Sequence, residues 1–252
     1  MTGLIPLLKK EFKEQLRTYR LLIVGGIFLL FGITTPLLLK YMPQLLELVG
    51  SGGLEITMPE PTAVQSLTEY TGTIGQIGVL VAVLIAMGSI ANELRHSTAI
   101  LTLSKPVSRA AFVNAKFLAV SLTFLIALVL ASIVCYIYTT LLISNSDIMG
   151  FVGQNMLLML FFLFCLSVTL LFSSLFSSSL AAGGLAIATI ISQAGLSAIP
   201  KIGDFFPGKL LSWGNQLTAG NTESNWWALG ITIVLTVLSI YMAQHILSKK
   251  DL

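Results

Sequence analysis

At 252 residues, 55% hydrophobic, 10% charged and with a mean hydropathy of +0.90, the chain departs from soluble domains, in which about 25% of residues are charged. This composition excludes a solvated globular fold, and two cysteines in the whole chain exclude a disulfide framework. The net charge of +3 is a topology signal, because the basic residues sort to one side of the spans described next, and it does not indicate a nucleic-acid surface.

A spanning helix needs about 20 mainly apolar residues, since the hydrocarbon core is about 30 Å thick and each residue advances about 1.5 Å. Runs of that kind fall at 21–39, 74–91, 117–143, 154–176, 180–199 and 226–247. They are continuously apolar, which predicts helices rather than barrel strands. The expected fold is therefore an all-α membrane protein of six spans, with 1–252 as one transmembrane domain.

Before the first span, Leu4, Leu8, Phe12, Leu16 and Tyr19 recur at helical spacing, with Lys9, Lys10, Lys13 and Arg17 elsewhere on the wheel. This predicts an amphipathic helix over 1–20 lying in the membrane boundary, with Phe12, Lys13, Leu16 and Arg17 as its candidate working residues. A basic flank that only sets topology would explain the cations and leave the stripe unexplained. The first span exceeds a signal-peptide core and lacks a small-residue cleavage site, so it reads as a retained anchor.

The segment 40–73 is acidic and punctuated by Pro43, Gly50, Gly52, Gly53, Pro59 and Pro61, which predicts an irregular loop with one short helix near 62–70. Gly72, Gly75 and Gly78 follow at intervals of three and would let a neighbouring helix approach closely. No strand precedes them, so they do not form a nucleotide-binding loop.

Between the second and third spans lies the one long interior segment that is both charged and helix-patterned, 92–116. Ser97 or Thr98 can cap a short helix through Leu103, Pro106 ends it, and Ser108 can cap the helix that runs through Lys116 into the third span. Ile100, Leu101 and Leu103 give a small apolar face ringed by Arg95, Lys105 and Arg109. A topology-setting loop accounts for the cations but not for two capped helices around a proline, so the segment reads as a docking element.

Cys135 and Cys165 fall in different spans and read as small buried hydrophobes. A serine-rich turn, Ser173, Ser174 and Ser177 to Ser179, joins the fourth and fifth spans and continues into the small residues Ala181, Ala182, Gly183, Gly184, Ala186 and Ala188, a pattern of tight helix packing. The loop 200–225 carries Phe205, Phe206, Leu210, Leu211, Trp213 and Leu217, so it is expected to dip toward the membrane as short helices. Trp226 and Trp227 anchor one end of the last span, Lys249 and Lys250 the other.

With the N-terminus inside, 11 of the 14 basic residues are on inner segments, and only Lys40, Lys201 and Lys209 lie outside. Most acidic residues fall outside, so both termini are expected in the cytoplasm. The stretch 203–210, GDFFPGKL, imitates a phosphate-binding loop, but Leu210 replaces the magnesium-binding hydroxyl and Pro207 removes a backbone donor. The six runs contain no Asp, Glu, Lys or Arg, only His245, which leaves little for proton coupling. Neither His96 nor His245 has a companion at metal-ligand spacing, and no nucleophile–base pair is apparent. The chain therefore reads as a membrane body without its own energy source.

Glu93, Ser97 with Thr98, Leu101 with Leu103, Pro106 through Arg109, and Lys116 together resemble the coupling segment of permease subunits in the type-2 ATP-binding-cassette (ABC-2) transporter family. Ser97 stands where that family usually has Gly. The resemblance implies that Glu93, Arg95, Thr98, Leu101, Leu103, Pro106, Ser108, Arg109 and Lys116 seat a coupling helix in a separate cytoplasmic ATPase subunit, with the N-terminal helix beside it. It further implies that two permease copies or paralogues pair in a bacterial or archaeal plasma membrane to export an amphipathic peptide, lipid-like molecule or drug. ATP and magnesium would then sit on the partner, with no cofactor or metal bound by this chain. Glu93 is expected to pair with a cation of the N-terminal helix, such as Lys13 or Arg17. The competing reading is a membrane-embedded sensor or assembly scaffold whose segment binds a signalling protein.

Overall fold

The computed structural model describes residues 3–49, 60–95, 108–221 and 223–250, and the side chains of all these except 46–49. Among them the regular structure is entirely helical. Helix α1 spans Leu4–Arg17, α2 Arg20–Val49, α3 Ala63–Ala86, α4 Ala91–Arg95, α5 Arg109–Leu142, α6 Ile148–Leu175, α7 Ser179–Ser197, α8 Lys209–Thr218 and α9 Trp226–Lys249, with a 3-10 turn at Gly203–Phe205. Six segments are long and apolar enough to cross a membrane: Arg20–Leu45, Ala63–Arg95, Arg109–Leu142, Ile148–Leu175, Ser179–Ser197 and Trp226–Lys249. The protein is a multi-pass membrane protein.

The helices outrun the apolar stretches that announce them. Helix α2 continues through Pro36 and Pro43 to Val49, and α3 begins at Ala63 with Thr62 accepting from the Gln65 N–H at 3.2 Å. The predicted irregular loop is thus helical at both ends, and the expected short helix near 62–70 is the first part of α3. Hydropathy follows burial in lipid, whereas the helix follows backbone hydrogen bonds, which continue past the apolar boundary.

Helix α6 is the most buried of the six spans and forms the centre of the bundle. Around it, Phe28 of α2, Phe124 of α5 and Phe162 of α6 meet with ring centroids 5.5–5.9 Å apart, each fully buried. Helix α2 turns Val24, Phe28, Gly32 and Pro36 inward at intervals of four. At Gly32 the backbones of α2 and α5 come so close that a Cβ would stand 2.8 Å from the Ala131 carbonyl oxygen. Gly78 makes a comparable approach to the rings of Phe162 and Phe28, while Gly72 faces open space and mediates no packing.

Two buried polar clusters stitch opposite ends of the bundle. At the end distant from the termini, the buried Gln154 of α6 donates to Asn215 Oδ1 at 2.6 Å and to Thr71, and accepts from Thr218. This fastens α8 against α6 and α3, and Leu210 and Trp213 are buried with it. The loop before the last span therefore folds as the expected short helices. Lys209, the lysine of the phosphate-loop imitation, is held by Asp204 at 2.9 Å.

At the end that carries the termini, the span Ala63–Arg95 breaks at Met87–Ile90, and Ser173 of α6 repairs the break. Its hydroxyl accepts from the Ile90 and Ala91 N–H groups at 3.1 and 3.0 Å and donates to the Met87 carbonyl at 2.8 Å. Beside it, Ser179 donates to Asn92 Oδ1 at 2.6 Å. The serine tract thus does more than pack, because it satisfies backbone groups that the break leaves without helical partners.

Candidate functional site

The candidate docking segment 92–116 is described at its two ends, and Thr98, Leu101, Leu103 and Pro106, with Ser97 and Lys105, lie outside the described residues. Those two ends converge. Glu93 sits on α4, Lys116 on the second full turn of α5, and Lys116 Nζ reaches Glu93 Oε1 at 2.6 Å. From the other side it reaches Glu11 Oε2 of α1 at 3.1 Å, and it lies 5.0 Å from the centroid of the Phe112 ring.

Local sequence accounts for each position. Ser108 caps α5, its Oγ accepting from the Ala111 N–H at 3.1 Å, so the helix starts where the sequence predicts and carries Phe112 and Lys116 on one face, four residues apart. Helix α1 ends at Arg17, and Tyr19 takes a left-handed conformation with φ of 58° that turns the chain into α2. Tyr19 is therefore the hinge and not the last member of the apolar stripe. The face of α1 that packs on α5 is Leu7, Glu11 and Gln15, again four apart, while Ile5 and Leu16 remain exposed.

The Lys116 side chain is only 3% exposed, and those of Glu11 and Glu93 are 6% and 18% exposed. Such a group survives burial only if its charge is met. Two carboxylates and the Phe112 face meet it, and Lys10, 3.3 Å from Glu11, balances the second carboxylate from the rim. Burial works against the charge on Lys10, but Glu11 and Glu93 outweigh it and hold its pKa above the ordinary lysine value. The result is an ionic clasp joining three elements: α1, the end of the second span and the start of the third.

A polar cavity of about 230 Å³ adjoins the clasp, lined by Glu14, Gln15, Arg20, Ser89 and Asn92 as well as its own three residues. Gln15 Oε1 is buried there without a hydrogen-bond partner among the described residues. Nearby, the Arg109 guanidinium donates to the Leu247, Ser248 and Lys250 carbonyls at 2.7, 2.9 and 2.8 Å, capping the C-terminus of α9. Lys250 in turn donates to the Leu175 carbonyl at 3.2 Å, and burial pushes its pKa below the ordinary value. Gln244 of α9 donates to Asn114 of α5 at 2.7 Å. The ends of the second, third, fourth and sixth spans are bolted together around the start of α5.

Of the sequence-predicted residues, the structure brings Glu93 and Lys116 into direct contact and places Ser108 and Arg109 on the same helix start. Arg95 is exposed on α4. Phe12 is half-buried on α1, whereas Lys13, Leu16 and Arg17 are exposed. The cation expected for Glu93 is corrected: Lys116 holds it, and among the described residues no ion pair joins Glu93 to Lys13 or Arg17. Sequence reading overlooked Glu11 and Gln15. Their signal was the four-residue interval with Leu7, a line that runs along the edge of the apolar stripe. Among the described residues no group of three or more His, Cys, Asp or Glu is placed to hold a metal ion.

A family model described as ABC-2 family transporter protein matches residues 5–252. The chain is also similar to a Bacillus subtilis (strain 168) protein named "Uncharacterized transmembrane protein YxlG", 23% identical over 244 residues that cover 94% of each chain.

Proposed function

The chain belongs to the ABC-2 transporter family, whose members are transmembrane transport subunits and not the ATPase itself, and on that premise we propose that it is the permease of an ATP-driven exporter. In this reading the segment between Arg95 and Ser108 docks into a separate cytoplasmic nucleotide-binding subunit, and two permease copies or paralogues enclose the pathway. The single observation that carries it is the clasp at Lys116. Glu93 and Lys116 bracket the docking segment and are tied both to each other and to α1, so a displacement of the segment moves three helices as one lever.

Two further features support the reading. The exposed apolar side chains of α1, Ile5 and Leu16, suit a helix lying in the bilayer boundary, and its exposed Lys9, Lys13 and Arg17 suit anionic headgroups. The clustering of basic residues on the termini-bearing side supports a cytoplasmic orientation for both termini. An amphipathic or hydrophobic cargo fits a bundle whose surfaces are apolar with scattered hydroxyls.

Co-expression with an ABC ATPase encoded beside the gene tests the proposal. The two are expected to co-purify, and substrate-stimulated ATP hydrolysis is expected to disappear in a Pro106→Ala, Arg109→Ala double variant. Stable association of the permease with a signalling protein and with no ATPase would contradict it.

A further inference from the structure

At the end of the bundle opposite the clasp, α2 and α3 diverge around a cleft of about 500 Å³. Its two walls differ in chemistry. Helix α2 contributes Phe31, Leu38, Leu39 and Met42, an apolar face broken only by Thr34 and Thr35. Opposite them α3 and the residues before it present Pro61, Gln65, Glu69 and Thr73, a mainly polar line at strict four-residue intervals.

Among the described residues Glu69 is the one charged group lining the cleft, and it has no hydrogen bond and no ion pair there. Lys40, on α2, is exposed and does not line it. Other groups there are acceptors too. Thr34 already spends its hydroxyl proton on the Leu30 carbonyl at 2.8 Å, and Pro43 has no N–H to offer the Leu39 carbonyl four residues earlier. The site is rich in acceptors and negative on one side, apolar on the other, and of a size suited to a small molecule. Glu69 is exposed on the second turn of α3, so its charge stays available to a ligand that enters the cleft.

We infer that this cleft between α2 and α3 is a binding site for cationic amphipathic cargo, with Glu69 receiving a primary ammonium group and the Phe31–Met42 face receiving the attached hydrocarbon. The inference rests on the exporter reading and narrows its substrate class to molecules carrying a positive amine on an apolar body. Charge complementarity decides against a neutral or anionic cargo at this site. A carboxylate facing a hydrocarbon wall rejects an anion and gains nothing from an uncharged chain.

The test uses the full-length permease in phosphatidylcholine nanodiscs without any ATPase, and tritiated octylamine against tritiated octanol, with empty nanodiscs subtracted. At neutral pH the amine is protonated. Saturable octylammonium binding is expected, with octanol roughly tenfold weaker or worse. Glu69→Gln should remove that preference, while Glu60→Gln, outside the cleft, should keep it. Equal size-exclusion profiles of both variants guard against misfolding. Equal binding of amine and alcohol, or an unchanged Glu69→Gln variant, overturns the assignment. So does loss of octylammonium binding in phosphatidylethanolamine nanodiscs, which would make a lipid headgroup the occupant. Disulfide formation between two copies of Gln65→Cys, which would place a second subunit in the cleft, overturns it as well. Because no ATPase is present, failure here leaves the exporter reading intact. Retained binding without transport would instead sink the exporter reading alone.

Discussion

Lys116 loses nearly all its water and receives two carboxylates and an aromatic face in exchange. A buried ion cluster of this kind adds little net stability compared with a well-packed apolar substitute, but removing a single member leaves charge stranded. Lys116→Met alone is therefore expected to destabilise the permease by about 3–5 kcal/mol in detergent unfolding measurements. Combining it with Glu11→Gln and Glu93→Gln should recover most of that loss, because the stranded charges are gone. If the single and triple variants unfold alike, the carboxylates are not held by Lys116. Glu93 and Lys116 were legible in the sequence because a capped helix start and a span end frame them. Glu11 was not, since either of two acids among four cations on a short helix looks like surface until the neighbours of Glu11 at intervals of four prove to be buried.

Among the elements, close approach of α2 to α5 depends on one glycine. Gly32→Ala would bring a methyl to 2.8 Å from a backbone carbonyl that cannot swing aside, and it is expected to cost about 1–3 kcal/mol, read as a lowered unfolding midpoint. Gly25→Ala, seven residues earlier with nothing within 4 Å, should be neutral or slightly stabilising. Equal effects would show that the approach at Gly32 is not tight. The six spans were readable because apolar runs of this length have no alternative in a membrane. Which glycines pack was not readable: Gly72 and Gly78 look equivalent in a repeat of three, and only the rotation of α3 about its axis separates the one in open space from the one against Phe162. The ends of α2 and α3 were hidden for a related reason, since Pro43 and the acidic stretch around Glu69 resemble loop composition although the backbone stays helical. That concealed Glu69, which reads as a loop acid and stands on a spanning helix.

Across the whole molecule, the two polar clusters divide the labour by position. Gln154 locks one end by binding α8 to the centre, and the Lys116 clasp, Ser173 and Arg109 lock the other. Between them the bundle is held mainly by apolar packing with scattered buried hydroxyls, an arrangement suited to a body that transmits displacement from one end to the other. The central claim is that drive enters through the segment flanked by Glu93 and Lys116. Its most direct test is a single introduced thiol, Leu101→Cys, against the native background of Cys135 and Cys165, both buried. In the complex assembled in the membrane, that thiol is predicted to be inaccessible to impermeant reagents from outside, reactive from the cytoplasmic side, and able to cross-link to the ATPase subunit with a yield that changes on ATP binding. Labelling from the exterior, or cytoplasmic labelling with no cross-link to any ATPase, would contradict the account.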